Sequence, residues 1–135
     1  MKKTILVVGS INMDLVARAT HIPVAGETVS GTSFATYPGG KGANQAVSIA
    51  KLGHPVTLIG RLGSDSFGEV LQRGLQAAGV DTSGVKQVPG SSGVAVIVVS
   101  DQGEIVSSSP QELTRCSPQM ISRNMSTTSE ELEPF

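Results

Sequence analysis

Two short apolar runs constrain the fold of this chain most strongly. Each run is followed by a glycine-containing loop and then by an amphipathic stretch. The runs are TILVV at residues 4–8 and PVTLI at residues 55–59. Short β-branched runs of this kind predict buried strands. Apolar residues spaced three and four apart predict helices over residues 41–52 and 65–78, the second capped by Ser64 or Asp65. Strands that alternate with helices predict a right-handed, mostly parallel α/β sheet.

A second set of strands does not fit the middle of such a sheet. Residues 27–37 (ETVSGTSFATY) alternate weakly and are rich in Thr and Ser, whereas residues 93–99 (GVAVIVV) carry the strongest strand signal in the chain. The turn sequence at residues 101–103 predicts a hairpin partner that begins near Glu104. These strands predict a separate small β layer.

Composition excludes several classes of protein. The formal net charge is -1, which gives no electrostatic case for binding nucleic acid or an anionic membrane. Cys116 is the single cysteine, so an internal disulfide framework and a cysteine-based zinc site are excluded. No apolar run approaches the roughly 20 residues that span a bilayer, and the N-terminal apolar run is too short for a signal peptide. The chain is predicted to be soluble and cytoplasmic.

Polar residues directly follow the first predicted strand, in the sequence GSINMD at residues 9–14. The carboxyl ends of strands in an open α/β sheet are where ligands bind. Asn12 and Asp14, two residues apart in an extended segment, can project the same way and present an amide and a carboxylate. That set suits the vicinal hydroxyls of a sugar. The alternative is an ordinary turn or cap, for which Asn and Asp are common.

A glycine-rich segment, GGKGANQ at residues 39–45, directly precedes the first predicted helix. Adjacent glycines allow a ligand to approach the backbone, and a helix start presents free N–H groups. Lys41 adds a cation and Asn44 an amide. The segment matches neither a Walker A loop nor the GxGxxG spacing, and a plain helix start is the alternative. His21, His54 and Cys116 have no suitable partners and are assigned no role.

Four segments together resemble the N-terminal part of the ribokinase family, the PfkB-type carbohydrate kinases. The segments are GSINMD (9–14), AGETVSG (25–31), YPGGKGANQA (37–46) and LGSDSFG (62–68). The resemblance runs from about Ile5 to Glu104. It implies an α/β fold, the truncated N-terminal part of a Rossmann-like ribokinase fold, with a small β-sheet lid whose strands lie at about 27–37 and 93–104.

The resemblance also implies an activity, the ATP-dependent phosphorylation of D-ribose to ribose 5-phosphate. Carried over by position, five residues bind the sugar hydroxyls: Asn12, Asp14, Gly40, Lys41 and Asn44. The family uses ATP with Mg²⁺ and a monovalent cation (K⁺), and forms homodimers through the lid. Its catalytic base lies in a later Gly-Ala-Gly-Asp segment that this chain lacks. The chain is therefore expected to carry the sugar-binding and lid part and to be inactive alone.

Two other functions fit the same residues. One is a non-catalytic sugar-binding or lid-pairing module that associates with a complete kinase. The other is a kinase of the same family for another sugar, such as fructose, a nucleoside or a sugar acid.

The residues after Glu104 differ in character from those before it. All 16 glycines lie between Gly9 and Gly103. In a reading frame shifted by one base, the codons from Glu104 to Cys116 are compatible with NSIVVAPGANAV, a strand followed by the Gly-Ala-Asn that the family carries there. We therefore expect family sequence over residues 1–104 and an aberrant or disordered tail over residues 105–135, produced by a one-base deletion. A divergent natural tail is the alternative.

Overall fold

A computed structural model describes residues 2–108 of the chain as seven strands and two helices. The strands are β1 (Ile5–Val8), β2 (Asn12–Ala19), β3 (Gly31–Gly39), β4 (Val56–Gly63), β5 (Val85–Val88), β6 (Gly93–Ser100) and β7 (Ile105–Ser108). The helices are α1 (Lys41–Lys51) and α2 (Ser66–Ala77). Neither helix in this part of the chain has the length and apolar character needed to cross a bilayer.

The predicted parallel sheet is confirmed as three strands in the order β1-β4-β5, with both helices packed against it. Its core is aliphatic, and Leu58 on β4 and Leu71 and Leu75 on α2 are almost completely buried. Strand β4 extends beyond the predicted run, to Gly63. Strand β5 was not predicted, because its sequence VKQV is too polar to give a buried-strand pattern.

The predicted small β layer is confirmed as a separate four-stranded sheet, the lid sheet, in the order β3-β2-β6-β7. Strand β2, one of its two central strands, was not predicted, because the polar residues between Asn12 and Arg18 obscure the alternation. Strand β2 pairs antiparallel with β3 and parallel with β6. The predicted start of the first lid strand at residue 27 was wrong, since β3 begins at Gly31 and Glu27 accepts hydrogen bonds within the preceding loop.

The predicted hairpin after β6 is also present. The chain turns at residues 101–103, and β7 pairs antiparallel with β6. Residues 105–108, expected to belong to the tail, thus form the fourth lid strand. Residues 109–135, the remainder of the expected tail, lie outside the described residues.

The Asp65 carboxylate joins the two sheets and caps α2. Of the two predicted caps it is Asp65 that accepts a hydrogen bond from Gly68 N, at 2.9 Å. It also accepts bonds from the backbone N–H and the hydroxyl of Ser92, at 2.9 and 2.6 Å, directly before β6. Burial raises the pKa of Asp65, but these hydrogen bonds outweigh it and hold the pKa below its usual value.

Replacing Asp65 with Ala is expected to lower the free energy of unfolding by about 2 kcal/mol, because a helix cap and the partners of Ser92 are lost together. Urea denaturation followed by circular dichroism measures the change. Ser64→Ala is the matched control, since Ser64 is exposed and surface substitutions cost less than about 0.5 kcal/mol.

The contribution of the Asp65 carboxylate to the free energy of unfolding is expected to depend on pH. Because the folded-state pKa lies below the unfolded-state pKa, the stabilisation is complete above the unfolded-state value and is lost as pH falls through the folded-state value. The difference in stability between the parent and Asp65→Asn should therefore shrink in acid. A difference that stays constant with pH would contradict this assignment.

Candidate functional site

The site begins where the first turn of α1 lies directly on the loop after β1. A Cβ on Gly42 would come 2.6 Å from the Cα of Gly9, and a Cβ on Gly9 would come 2.7 Å from the Cα of Gly42. Backbone therefore contacts backbone, which only glycine allows at both positions. This contact brings residues 9–14 and residues 39–44, the two segments singled out in the sequence, together.

Gly40 is the N-cap of α1 and has a backbone φ of 100°. Other residues rarely adopt this conformation. A Cβ here would also lie 2.4 Å from the carbonyl oxygen of Ser10. A glycine is therefore required at position 40 both by the backbone conformation and by the lack of room for a side chain.

Ser10 supplies the cap that Gly40 lacks. Its hydroxyl accepts a hydrogen bond from Lys41 N at 3.1 Å, and its carbonyl oxygen accepts one from Ala43 N, also at 3.1 Å. The sequence did not reveal this role, because the cap lies about thirty residues from the helix it serves and leaves no local spacing signal. Two of the free N–H groups of α1 are therefore occupied by protein.

Asn12 is the first residue of β2 and pairs with Gly39 on one side and Gly93 on the other. Its Oδ1 atom is buried and has no hydrogen-bond partner within residues 2–108. A buried acceptor without a donor costs on the order of 1–3 kcal/mol. Because the oxygen is covered, a ligand hydroxyl reaches it only if the amide turns or the strands around it move.

Asp14 lies two residues further along β2, in one row with Tyr37 on β3 and Ala95 on β6. Its side chain is half-buried, and no hydrogen bond or ion pair reaches its carboxylate from the described part of the chain. Burial without compensating donors raises the pKa of Asp14. The carboxylate therefore offers hydrogen-bond acceptors that are partly shielded from water and have no partner within residues 2–108.

Lys41 and Asn44 are the exposed residues of the first turn of α1, whose Gly42 and Ala43 are buried. The Asn44 backbone N–H donates to the Gly40 carbonyl oxygen at 2.9 Å, and Asn44 itself is exposed. Their backbones adjoin the loop at Ser10, and thus all five predicted site residues belong to two segments in contact. The set offers a carboxylate, two amides and a cation, the groups that can hydrogen-bond several hydroxyls of one small polar molecule.

Within residues 2–108, no group of three or more His, Cys, Asp or Glu side chains could hold a metal ion. The same part of the chain carries no Walker A sequence.

Comparison with known proteins identifies one family, a family of carbohydrate kinases. The family model for the pfkB family carbohydrate kinases matches residues 2–124. The chain is 48% identical over 100 residues to a ribokinase from Bacillus subtilis, covering 73% of this chain and 34% of that protein. It is 43% identical over 96 residues to a deoxyribokinase from Salmonella typhi, covering 70% of this chain and 31% of that protein.

The fold is similar to that of Arabidopsis thaliana ribokinase complexed with ribose and ATP. The TM-score is 0.75 at 34% sequence identity, covering 84% of this chain and 37% of that one. The chain thus spans about a third of the length of the curated relatives that it matches.

Replacing Asp14 with Asn is expected to raise the free energy of unfolding at neutral pH, because the variant no longer buries an ionised carboxylate. The folded-state pKa lies above the unfolded-state pKa, so the parent loses stability as pH rises between the two values and the variant does not. Urea denaturation at a series of pH values measures this. Asp101→Asn, in the exposed turn before β7, is the control and should keep the parent's profile.

Proposed function

Because the chain belongs to the pfkB family of carbohydrate kinases, we propose that it forms the sugar-binding and lid part of a kinase that transfers a phosphoryl group from ATP to D-ribose, giving ribose 5-phosphate. The observation that carries the proposal is the half-buried Asp14 carboxylate, which no donor from residues 2–108 reaches. Such a group is unfavourable for folding and favourable for a ligand that brings hydroxyl donors.

Each site residue has a role that its chemistry supports. Asp14 accepts hydrogen bonds from two sugar hydroxyls, and Asn12 offers both an acceptor and donors to a neighbouring hydroxyl. Lys41 and Asn44 donate from the first turn of α1 to hydroxyl oxygens. Gly40 allows α1 to start beside these residues, because its φ of 100° favours glycine. A sugar held in this way has its reactive hydroxyl fixed in direction, which is the main requirement of phosphoryl transfer.

The catalytic base and the nucleotide belong, in this proposal, to other parts of the family domain. When bound, ATP with Mg²⁺ and K⁺ supplies the phosphoryl group and neutralises its charge. Residues 2–108 neither hold a metal cluster nor carry a Walker A sequence, so no step through that group is assigned to them. The exposure of Ile5, Leu6 and Val8 on β1, which pairs only with β4 within residues 2–108, supports a larger parent domain.

2-Deoxyribose is the second candidate substrate, because the chain is also similar to a deoxyribokinase. The two sugars differ by one hydroxyl. If Asp14 or Asn12 accepts a hydrogen bond from that hydroxyl, ribose binds more tightly than 2-deoxyribose. In the 2-deoxyribose complex this acceptor is left unpaired, which costs about 1–3 kcal/mol.

Isothermal titration calorimetry of the 135-residue chain with D-ribose and with 2-deoxy-D-ribose tests the proposal. We expect saturable ribose binding and at least a tenfold rise in Kd for Asp14→Ala, since a hydrogen bond to a charged group contributes about 1.5–3 kcal/mol. Asp101→Ala is the matched control and should retain the parent's Kd. We expect no ribose-dependent ADP formation from ATP by this chain alone.

Ribose binding that persists unchanged in Asp14→Ala would contradict the site. Ribose-dependent ADP formation above an Asp14→Ala preparation would contradict the assignment of the base to another part of the domain. Saturable sugar binding by this chain, together with its stable association with a complete kinase in sedimentation velocity, would favour the non-catalytic module.

We also propose that two copies associate through the face of the lid sheet opposite Asp14, beyond the part where Met13 and Leu15 pack on the core. Side chains alternate between the faces of a strand, so the register places Phe34, Val96 and Val106 together on the face opposite Asp14. These three side chains are 66%, 46% and 51% exposed. An apolar patch of this kind on a sheet marks an interaction surface.

Replacing Phe34 with Asp is expected to raise the dimer dissociation constant at least tenfold, because a charge must then be buried between the two sheets. Sedimentation velocity over a range of concentrations measures it. Leu52→Asp is the control, since Leu52 is 77% exposed but lies at the end of α1, outside the lid. An unchanged dissociation constant in Phe34→Asp would exclude this face.

We further propose that the family sequence ends at Glu104 because the gene has lost one base there. A one-base deletion near codon 105 predicts that the nucleotide sequence encodes NSIVVAPGANAV in the shifted frame, followed by further kinase sequence. Sequencing the gene across this region decides it, and an unbroken frame with no kinase sequence downstream would exclude the deletion.

A further inference from the structure

The two adjacent glycines before α1 are needed for different reasons. Gly40 has a φ of 100°, a conformation that favours glycine whatever the space around it. Gly39 is the last residue of β3 and is not among the glycines with positive φ in residues 2–108. Its backbone conformation is thus open to other residues, and the reason for a glycine here must be the space beside it.

That space is filled by the carboxyl group of Asp14. A Cβ on Gly39 would lie 2.4 Å from Oδ2, 2.6 Å from Cγ and 2.7 Å from Oδ1 of Asp14. Unbonded carbon atoms prefer separations of roughly 3.5–4.0 Å. All three carboxyl atoms are therefore too close for even a methyl group, and the carboxylate lies directly over the glycine.

The strand register explains why the Asp14 carboxyl group lies beside Gly39. Gly39 pairs with Asn12 across the antiparallel ladder, and Asp14 lies two residues further along β2. Such diagonal neighbours are within reach of each other's side chains. Since no hydrogen bond or ion pair from residues 2–108 holds the Asp14 carboxylate, its direction depends on the room that Gly39 leaves.

We propose that Gly39 is a positioning residue, whose missing side chain creates the space in which the Asp14 carboxylate is held for hydroxyl groups of the substrate. The inference rests on the proposed function in one respect, the identity of the ligand as a sugar. Any side chain at position 39 would turn the carboxylate away from this position and towards solvent.

A double-mutant cycle tests the contact without any ligand. Gly39→Ala should lower the urea midpoint of the 135-residue chain. In an Asp14→Ala background the same substitution should leave the midpoint unchanged or raise it, because alanine is favoured over glycine in a strand once the carboxylate is gone. An equal loss in both backgrounds would overturn the proposal.

The pKa of Asp14 gives a readout that a merely structural glycine would not move. Burial raises the pKa of Asp14 in the parent, and Gly39→Ala should return it towards the usual carboxyl value as the group enters solvent. Carbon-13 NMR of the labelled carboxyl group measures the shift. An unchanged pKa in folded Gly39→Ala would also overturn the proposal.

Ribose titration links the contact to the ligand. Gly39→Ala should raise the Kd for D-ribose at least tenfold, as Asp14→Ala does. Gly74→Ala is the matched control: a Cβ there meets nothing within 4 Å, so Kd and the Asp14 pKa should stay at the parent's values. If the parent binds no ribose, the proposed function fails while the cycle and the pKa still decide the role of Gly39.

If Gly39→Ala does not fold, the double variant with Asp14→Ala decides the question. Recovery of the fold in the double variant supports the steric contact. Failure of both to fold would show that Gly39 is required for another reason and would overturn the proposal.

Discussion

Direct contact between the backbones of Gly9 and Gly42 is the constraint on which the rest of the site depends. Helices usually pack through side chains, at interaxial distances of roughly 8–10 Å between helices. Here the first turn of α1 instead lies on the main chain of the loop after β1. Only at this separation do the N–H groups of α1 reach the oxygen atoms of Ser10. The helix start, the glycine pair before it and the beginning of β2 are thereby fixed as one unit.

Carboxylates in this chain show how the candidate site differs from its surroundings. Asp65 and Asp81 each accept several hydrogen bonds, which hold the pKa of both below the usual value despite some burial. Asp14 is half-buried without such donors, and burial raises its pKa. The buried amide oxygen of Asn12 likewise accepts no hydrogen bond within residues 2–108. Locally unfavourable polar groups of this kind are typical of functional sites, where the missing partner is a ligand.

Sequence patterns predicted the parallel sheet, both helices and the separate β layer, because apolar spacing and turn residues act locally. They did not predict β2, because Asn12 and Asp14 interrupt its apolar pattern on the face opposite the core-packed Met13. The resemblance selected residues in both site segments. It could not reveal Ser10 as a remote cap or the space above Gly39, because each depends on a contact between segments about 25 to 30 residues apart.

The order of strands in the lid sheet has a consequence for how the chain folds. Its two central strands are parallel, and Asn12 pairs with Gly93 only after roughly eighty intervening residues. Those residues contain α1, β4, α2 and β5, so the ends of β2 and β6 meet most readily once these elements have packed. Pairing across so long a loop is slow, since the entropy of closure is lost before the contacts form. We therefore expect the pairing of β2 with β6 to form late in folding, after the parallel sheet, whereas the pairs β2–β3 and β6–β7 close over short loops.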